Sequence, residues 1–370
     1  MSSSFDYAQD ASFDDAQVSS LDSAPALQVS IVTPSYNQAD YLEQTIQSVL
    51  SQDYPHIEYI IIDGASTDRS VEIIRRYADR LAWWVSESDR GQAEAINKGM
   101  QRASGDVVAW LNSDDLYLPG AVSRAVKALA ANPALGFVYG DALNIDSQGK
   151  PLHPLVFGPW DLEEFIRFRI ICQPAVFMRR SILEQAGFLD PAYHMMLDHH
   201  LWIRMAERSQ VQYIGGVGGF APLAAARHHP QAKNASQPEK FAQETLRVLD
   251  WIAAQPDLQR RIARSRRQVH GGAYRLAARY LLDGGAYSSA LAAYSRAFFA
   301  WPSYTLKHWR RILYAALYLV GLGSSLDHWR ERDSTRQRAR LVEQLKRSSA
   351  ESGSESTTLD LEHWPGICLE

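Results

Sequence analysis

Residues 110–120, WLNSDDLYLPG, set two carboxylates side by side, Asp114 and Asp115, directly after an apolar run. Like charges forced together raise each other's pKa unless a cation shares them. Hard oxygen ligands of this kind suit Mg2+ or Mn2+, which such acids usually hold together with the phosphates of a substrate. An acid that only capped the next helix would stand immediately before its first turn. Pro119 fits that turn, several residues on, so the pair is not needed as a cap. An Asp-Asp pair by itself is often a solvated turn, and its weight comes from Tyr36 and Asp63, which follow two other apolar runs.

Those residues need elements that bring them together. QVSIVTP (28–34) is apolar, β-branched and stopped by Pro34, which predicts a buried strand. ADYLEQTIQSVLSQ (39–52) spaces Leu42, Ile46, Val49 and Leu50 at helical intervals. IEYIIIDG is the second strand, TDRSVEIIRRYAD a helix with Thr67 or Asp68 as its N-cap, and AWWVSESD a third strand. GQAEAINKGMQRA is a third helix, DVVAWLNSDD a fourth strand, and PGAVSRAVKALAANP the helix after it. Such alternation predicts an α/β fold with a mostly parallel sheet, whose ligands bind beyond the carboxyl ends of the strands. Tyr36, Asp63 and the Asp114–Asp115 pair all fall at such ends.

The pattern is less regular further on. FVYGDALNID reads as a strand pair or hairpin arm, CQPAVFMRRSILEQAGFLD as a strand running into a helix, and DHHLWIRMAERS as a helix followed by VQYIGG. Past RHHPQAKNAS helices take over. AYRLAARYLLDGGAYSSALAAYSRAFFAWP (273–302) resembles a single tetratricopeptide unit and predicts a helix pair. ILYAALYLVGLGSSL (312–326) falls short of the roughly 18 apolar residues of a membrane span and predicts a buried helix of a small helical domain. Its alternative is an interfacial helix.

Composition narrows the rest. The chain has 370 residues, a net charge of −4 and two cysteines, Cys172 and Cys368, too few for a disulfide framework and without metal-ligand spacing. That usage fits a reducing cytoplasm. Residues 1–25 carry five Asp and no Lys or Arg, which predicts an acidic disordered lead-in rather than a signal peptide. The stretch from Leu258 to Arg340 is dense in Arg and offers a surface to an anionic partner such as a membrane face. Asn234 formally begins a glycosylation acceptor, NAS, which carries no weight without a secretory signal.

VSIVTPSYNQADYLEQTIQSVLSQDYPHIEYIIIDGASTDRSVEIIRRY, DRGQAEAINKG, WLNSDD, CQPAVFMRR and LDHHLWIRM together resemble glycosyltransferase family 2, in the same order, from Val29 to His229. The resemblance implies a GT-A fold and inverting transfer of a sugar from a nucleotide diphosphate, with UDP the default donor. It implies that Pro34 and Tyr36 flank the base and ribose, that Asp63 hydrogen-bonds the base, and that Asp89 lies near the same pocket. It places Asn112 and Asp114 along the ribose and diphosphate, and Asp115 on the Mn2+ or Mg2+ ion. His229 falls near the metal or diphosphate and Arg227 near a phosphate, in a loop that closes over the donor. Asp198 falls at the position of the catalytic base. Such chemistry needs a cation against the charge of the departing diphosphate and a carboxylate that takes the acceptor's proton.

The segment around Asp198 departs from the pattern. Many relatives carry a second acid there, whereas Leu197 precedes Asp198 and His199 and His200 follow it. Those histidines are the only other bases the segment offers. The implied organisation is an acidic N-terminus (1–26), a GT-A domain (27–240), a helical domain (241–346) and a disordered tail (347–370). The expected setting is cell-surface polysaccharide assembly on the cytoplasmic side of a membrane, with a glycan or lipid-linked acceptor and peripheral contact through the basic helices. The competing expectation is a catalytically inactive nucleotide-binding scaffold that uses its helices for interaction. A nucleotidyltransferase lacks support, because TPSYNQADY stands where a Gly-rich phosphate loop would be.

Overall fold

The computed structural model describes residues 26–216, 220–229 and 232–323, with isolated positions at 335, 338, 339, 341–343, 345, 365 and 367. The expectations for residues 1–25, for Cys368 and for nearly all of the tail lie outside the described residues.

Eleven strands are described: β1 (Val29–Ser35), β2 (Ile57–Asp63), β3 (Trp83–Ser86), β4 (Val107–Trp110), β5 (Leu116–Tyr117), β6 (Leu135–Tyr139), β7 (Ala142–Ile145), β8 (Pro151–Leu155), β9 (Val176–Arg179), β10 (Gln210–Tyr213) and β11 (Ala224–Arg227). Seven form one sheet in the order β10-β6-β9-β4-β1-β2-β3. β1 pairs in parallel with both β2 and β4, and β9 runs antiparallel between β4 and β6. Every residue of β1 and β4 is buried, because helices cover both faces, as the unbroken apolar runs required. From β1 the chain proceeds outward to β2 and β3, then returns to lay β4 on the other flank of β1. The strand order reverses there, and such a switch point opens a crevice at the carboxyl ends of the two strands.

A second sheet, in the order β5-β11-β7-β8, carries the chain across the mouth of that crevice. FVYGDALNID is accordingly no hairpin. β6 belongs to the first sheet and β7 to the second, and they part at Gly140, where a Cβ would lie 2.7 Å from Leu223. Pro119 is also not in the first turn. The helix runs Ala121–Ala131, with Gly120 before it at φ 70°, a left-handed backbone that glycine adopts at little cost. Asp68 stands one residue ahead of its helix's N-cap, Arg69, and still satisfies the Ser70 N–H at 2.9 Å.

The helices after residue 237 continue the main core rather than starting beside it. Val248, Leu249 and Ile252 of the helix Pro238–Ala254 and Val269, Ala273 and Leu276 of the helix Arg266–Asp283 share one apolar cluster with Val32, Trp110 and Trp202. Arg266–Asp283 and Tyr287–Ala300 form a packed helix pair, joined at Gly284 and Gly285. The run after it departs from its expectation. The helix Trp309–Leu319 buries Ala315 alone.

Candidate functional site

Asp114 and Asp115 leave β4 in a turn held from three directions. Thr45, buried on the inner face of the helix Leu42–Leu50, donates its hydroxyl to the backbone carbonyls of Ser113 (2.9 Å) and Asp115 (2.8 Å). From β11 the Arg227 N–H donates to Asp115 Oδ1 at 2.9 Å, and its Nε to the Asp114 carbonyl at 2.9 Å. Asn112 Nδ2 lies 3.2 Å from Asp115 Oδ2, and His229 Nε2 lies 3.0 Å from Asp114 Oδ2. The implied metal set, Asp114, Asp115 and His229, is therefore gathered in one place, although His229 follows the pair by more than a hundred residues.

Asp115 is buried, and burial first and Asp114 second push its carboxyl up to about 8. Left to itself the pair would hold a proton in place of one negative charge. A divalent cation offsets both causes, so the donor chemistry fits one. Among the described residues no group of three or more His, Cys, Asp or Glu side chains is arranged to enclose a metal by itself. The fit is thus to an ion bound by few protein oxygens that completes its shell with water and substrate phosphate, as Mg2+ does.

The nucleotide side lies at the ends of β1 and β2. Pro34 is buried, whereas Tyr36, just past the end of β1, is 62% exposed. Tyr36 and Asp89 flank Gly64, where a Cβ would stand 2.7 Å from Asp89 Oδ2 and 3.4 Å from Tyr36 Cδ2. Asp63 is placed otherwise than a base contact needs. It is fully buried, and its oxygens accept from the Ser66 N–H (2.9 Å), the Ser66 hydroxyl (2.6 Å) and the Ser86 hydroxyl (2.6 Å). In this conformation it anchors the loop after β2 rather than facing the cleft. Arg227 is likewise committed to the protein. Its guanidinium donates to the carbonyls of Asp114, Asp146 and Ser147 and to Gln44, and it lies 4.9 Å over the Tyr41 ring.

Asp198 stands in the first turn of the helix Leu197–Ala206, half-buried, with Oδ1 accepting from the His199 N–H at 2.7 Å. Burial pushes its carboxyl up to about 6, against two backbone N–H groups that lower it and Glu244 that raises it. The Trp202 indole, one turn along, stacks on Trp110 of β4 at 5.3 Å and 22°. That stack fixes the helix bearing Asp198 to the strand that delivers the acidic pair. The Cys172 thiol, raised well above its usual range by burial, feels both Asp115 and Asp198.

His199 and His200 are not alternative bases. Both are buried among aromatic rings, with Phe168 5.5 Å from His199, and Tyr193 and Trp251 4.4 and 4.3 Å from His200. The His200 ring nitrogens have no hydrogen-bond partner among the described residues, and burial lowers His199 to about 4, against a contact with the Phe165 backbone that raises it, and His200 to about 3. The unfolded chain takes up these protons near pH 6.5 while the folded chain does not. Stability is therefore lost as pH falls from 6.5 toward those values, and Asp198, raised on folding, acts in the opposite direction. Asp115, raised to about 8, opposes them as well, so the histidine contribution is read as a difference: between pH 7 and pH 5 the wild type should change by about 2 kcal/mol less favourably than His200→Phe, from urea midpoints. An equal change with pH in wild type and His200→Phe would refute the assignment.

Sequence reasoning missed several residues that shape the site. Gln92 Nε2 donates to Asn112 Oδ1 at 2.7 Å, Asn112 Nδ2 to Gln173 Oε1 at 3.1 Å, and Gln173 Nε2 to the Trp110 carbonyl at 2.7 Å. Lys233 Nζ reaches Gln92 Oε1 at 2.7 Å. Thr45 did leave a signal, as a polar residue on the face of Leu42, Ile46 and Val49. Glu244 left none. From the helix Pro238–Ala254 its carboxylate accepts the N–H groups of His194 (2.9 and 3.0 Å), Met195 (2.7 Å) and Met196 (3.0 Å), the residues that lead into the helix of Asp198. Glu244→Ala leaves those donors without their acceptor, a cost of about 1–3 kcal/mol each if they stay dry. The expected result is a lower thermal midpoint and a lower turnover with donor affinity unchanged. Unchanged turnover would show that the helix of Asp198 does not depend on Glu244.

A mixed, mostly parallel sheet with an acidic pair at its switch point, joined by a small second sheet and backed by helices, is the GT-A fold. S. aureus TarS residues 1–349, solved with UDP-GlcNAc, superposes with a TM-score of 0.53 over 77% of this chain and 92% of its own, at 14% identity. A mannosyltransferase from Pyrobaculum calidifontis, solved with GDP-Man and Mn2+, gives 0.52 over 88% and 90%, at 21% identity. The family model for Glycosyl transferase family 2 matches residues 30–187. The putative teichuronic acid biosynthesis glycosyltransferase TuaG of Bacillus subtilis is 31% identical over 191 residues, 50% of this chain and 74% of TuaG. The chain belongs to glycosyltransferase family 2 and is a glycosyltransferase.

Proposed function

We propose that this chain transfers a sugar, with inversion, from a nucleotide diphosphate to a hydroxyl of a glycan or lipid-linked acceptor in cell-surface polysaccharide assembly, at the cytoplasmic face of a membrane. The observation that carries the reading is the Trp110–Trp202 stack at 5.3 Å, which ties the Asp198 helix to the strand of the acidic pair. TuaG, by its name a teichuronic acid enzyme, supports the polysaccharide setting. UDP is the default donor base, in keeping with the UDP-GlcNAc bound by TarS.

Pro34, Tyr36 and Asp89 border the base and ribose, with Asp63 holding the loop that frames them. Asn112 and Asp114 line the diphosphate, and Asp115, Asp114 and His229 are the residues that would hold Mn2+ or Mg2+. Bound there, the ion supplies positive charge against the charge that grows on the leaving diphosphate. Arg227 keeps the acidic turn in register. Asp198, ionised above about pH 6, accepts the acceptor's hydroxyl proton as that oxygen bonds to the anomeric carbon. The bond from the anomeric carbon to the diphosphate oxygen breaks with its electron pair going to the diphosphate, and attack from the opposite face inverts the centre.

Thermal stabilisation by a panel of nucleotide sugars, with and without Mn2+ or Mg2+, tests this reading. One donor should raise the melting temperature only with the metal. No stabilisation by any of them would favour a scaffold that has kept the fold and lost the ligand.

A further inference from the structure

Exposed apolar side chains are concentrated in one place. Ten large ones are exposed among the described residues, and eight of these lie between Phe298 and Leu322. Phe299 is 72% exposed, Val320 67% and Trp309 54%, with Leu306, Leu313 and Leu322 beside them in sequence. In the helix Trp309–Leu319, Trp309 and Leu313 stand one turn apart, and Val320 continues the same face two turns on. A packed helix of a globular domain turns such a face inward, whereas this one buries Ala315 alone.

Charge says what the face suits. Residues 284–323 contain no Asp or Glu, and carry Arg296, Lys307, Arg310 and Arg311. Arg311 reaches back to Asp283 at 3.3 Å, while Lys307 and Arg310 are exposed beside the apolar face, with Arg310 5.6 Å over the Trp309 ring. Exposed Phe and Leu with Trp and cations at their edge and no acid is the composition of a surface that lies in the headgroup region of an anionic bilayer. A protein partner would be met by a rim of both charge signs, whereas forty residues without an acid beside exposed Lys307 and Arg310 match a uniformly anionic surface. Among the described residues no helix is long and apolar enough to cross a membrane.

We propose that the surface built by Phe298–Leu322 seats the protein on an anionic lipid bilayer, with Phe299, Leu306, Trp309 and Val320 inserted and Lys307 and Arg310 on lipid phosphates. This narrows the docking surface from the whole Arg-rich stretch to the end of the helix Tyr287–Ala300, the short turns after it and the helix Trp309–Leu319. It stands apart from the transfer reaction, because its readout is binding rather than turnover.

The test is flotation of the full chain with vesicles of phosphatidylcholine alone and with phosphatidylglycerol added. Binding should need the anionic lipid and weaken with salt. Lys307→Gln and Arg310→Gln should each weaken it about fivefold, and Phe299→Ser with Trp309→Ser should lower it by about tenfold or more. These positions are exposed, so thermal midpoint and metal-dependent nucleotide binding should stay unchanged. Equal binding by the serine variant, or no binding to anionic vesicles, would overturn the proposal. So would self-association, seen by sedimentation, that disappears in the serine variant while vesicles stay unbound, because the face would then be a contact between copies.

Discussion

Asp198→Asn should lower turnover by about 10^2 to 10^4-fold, the usual contribution of a positioned general base, while leaving donor affinity within a few-fold of wild type. The amide keeps the shape of the carboxylate and can still accept the His199 N–H through its oxygen. What it cannot do is take the acceptor's proton. Neither neighbouring histidine can replace it, since both are sealed among Phe168, Tyr193 and Trp251. Release of nucleoside diphosphate, measured beside calorimetric titration of the donor, separates the two effects. Turnover and affinity lost together would mean that Asp198 shapes the donor site instead.

Asp115→Asn should weaken metal-dependent donor binding by about 100-fold or more, since even an outer-shell partner of a metal ligand is worth 10–100-fold. The substitution removes one of two adjacent negative charges and keeps an oxygen for the Arg227 N–H. The metal-free protein should therefore stay folded, with a thermal midpoint near that of wild type. Mn2+ should no longer improve nucleotide affinity. Equal metal-dependent affinity in this variant would remove the acidic pair from the donor site and leave it as a structural turn.

The first half of the fold was legible because β1, β2 and β4 are largely buried, so their sequences are mostly apolar and β-branched up to Pro34, Asp63 and the acidic pair. The sequence could say that these ends share one sheet edge, but not which carboxylates face solvent. Asp63 turned out to be consumed by Ser66 and Ser86, and nothing in IEYIIIDGAS distinguishes an anchor from a ligand. The split between β6 and β7 was hidden for a related reason, as nothing in FVYGDALNID marks Gly140 as the point where the chain passes to another sheet beside Leu223. The least legible contributions cross long separations. Glu244 reaches Met196 across 48 residues, from a helix whose pattern only announces amphipathic packing. The exposed face at Trp309 misled in the opposite way, because apolar residues at helical spacing look alike whether they meet a core or stay exposed.

The pH dependence of nucleoside diphosphate release, in wild type and Asp198→Asn side by side, tests the central assignment most directly. Burial holds the Asp198 carboxyl at about 6, so wild-type kcat/KM should level off above that pH and fall tenfold for each pH unit below it. Asp198→Asn should show only a small residual rate without that acidic limb. An unchanged limb, or wild-type turnover in the variant, would contradict the account and move the base elsewhere.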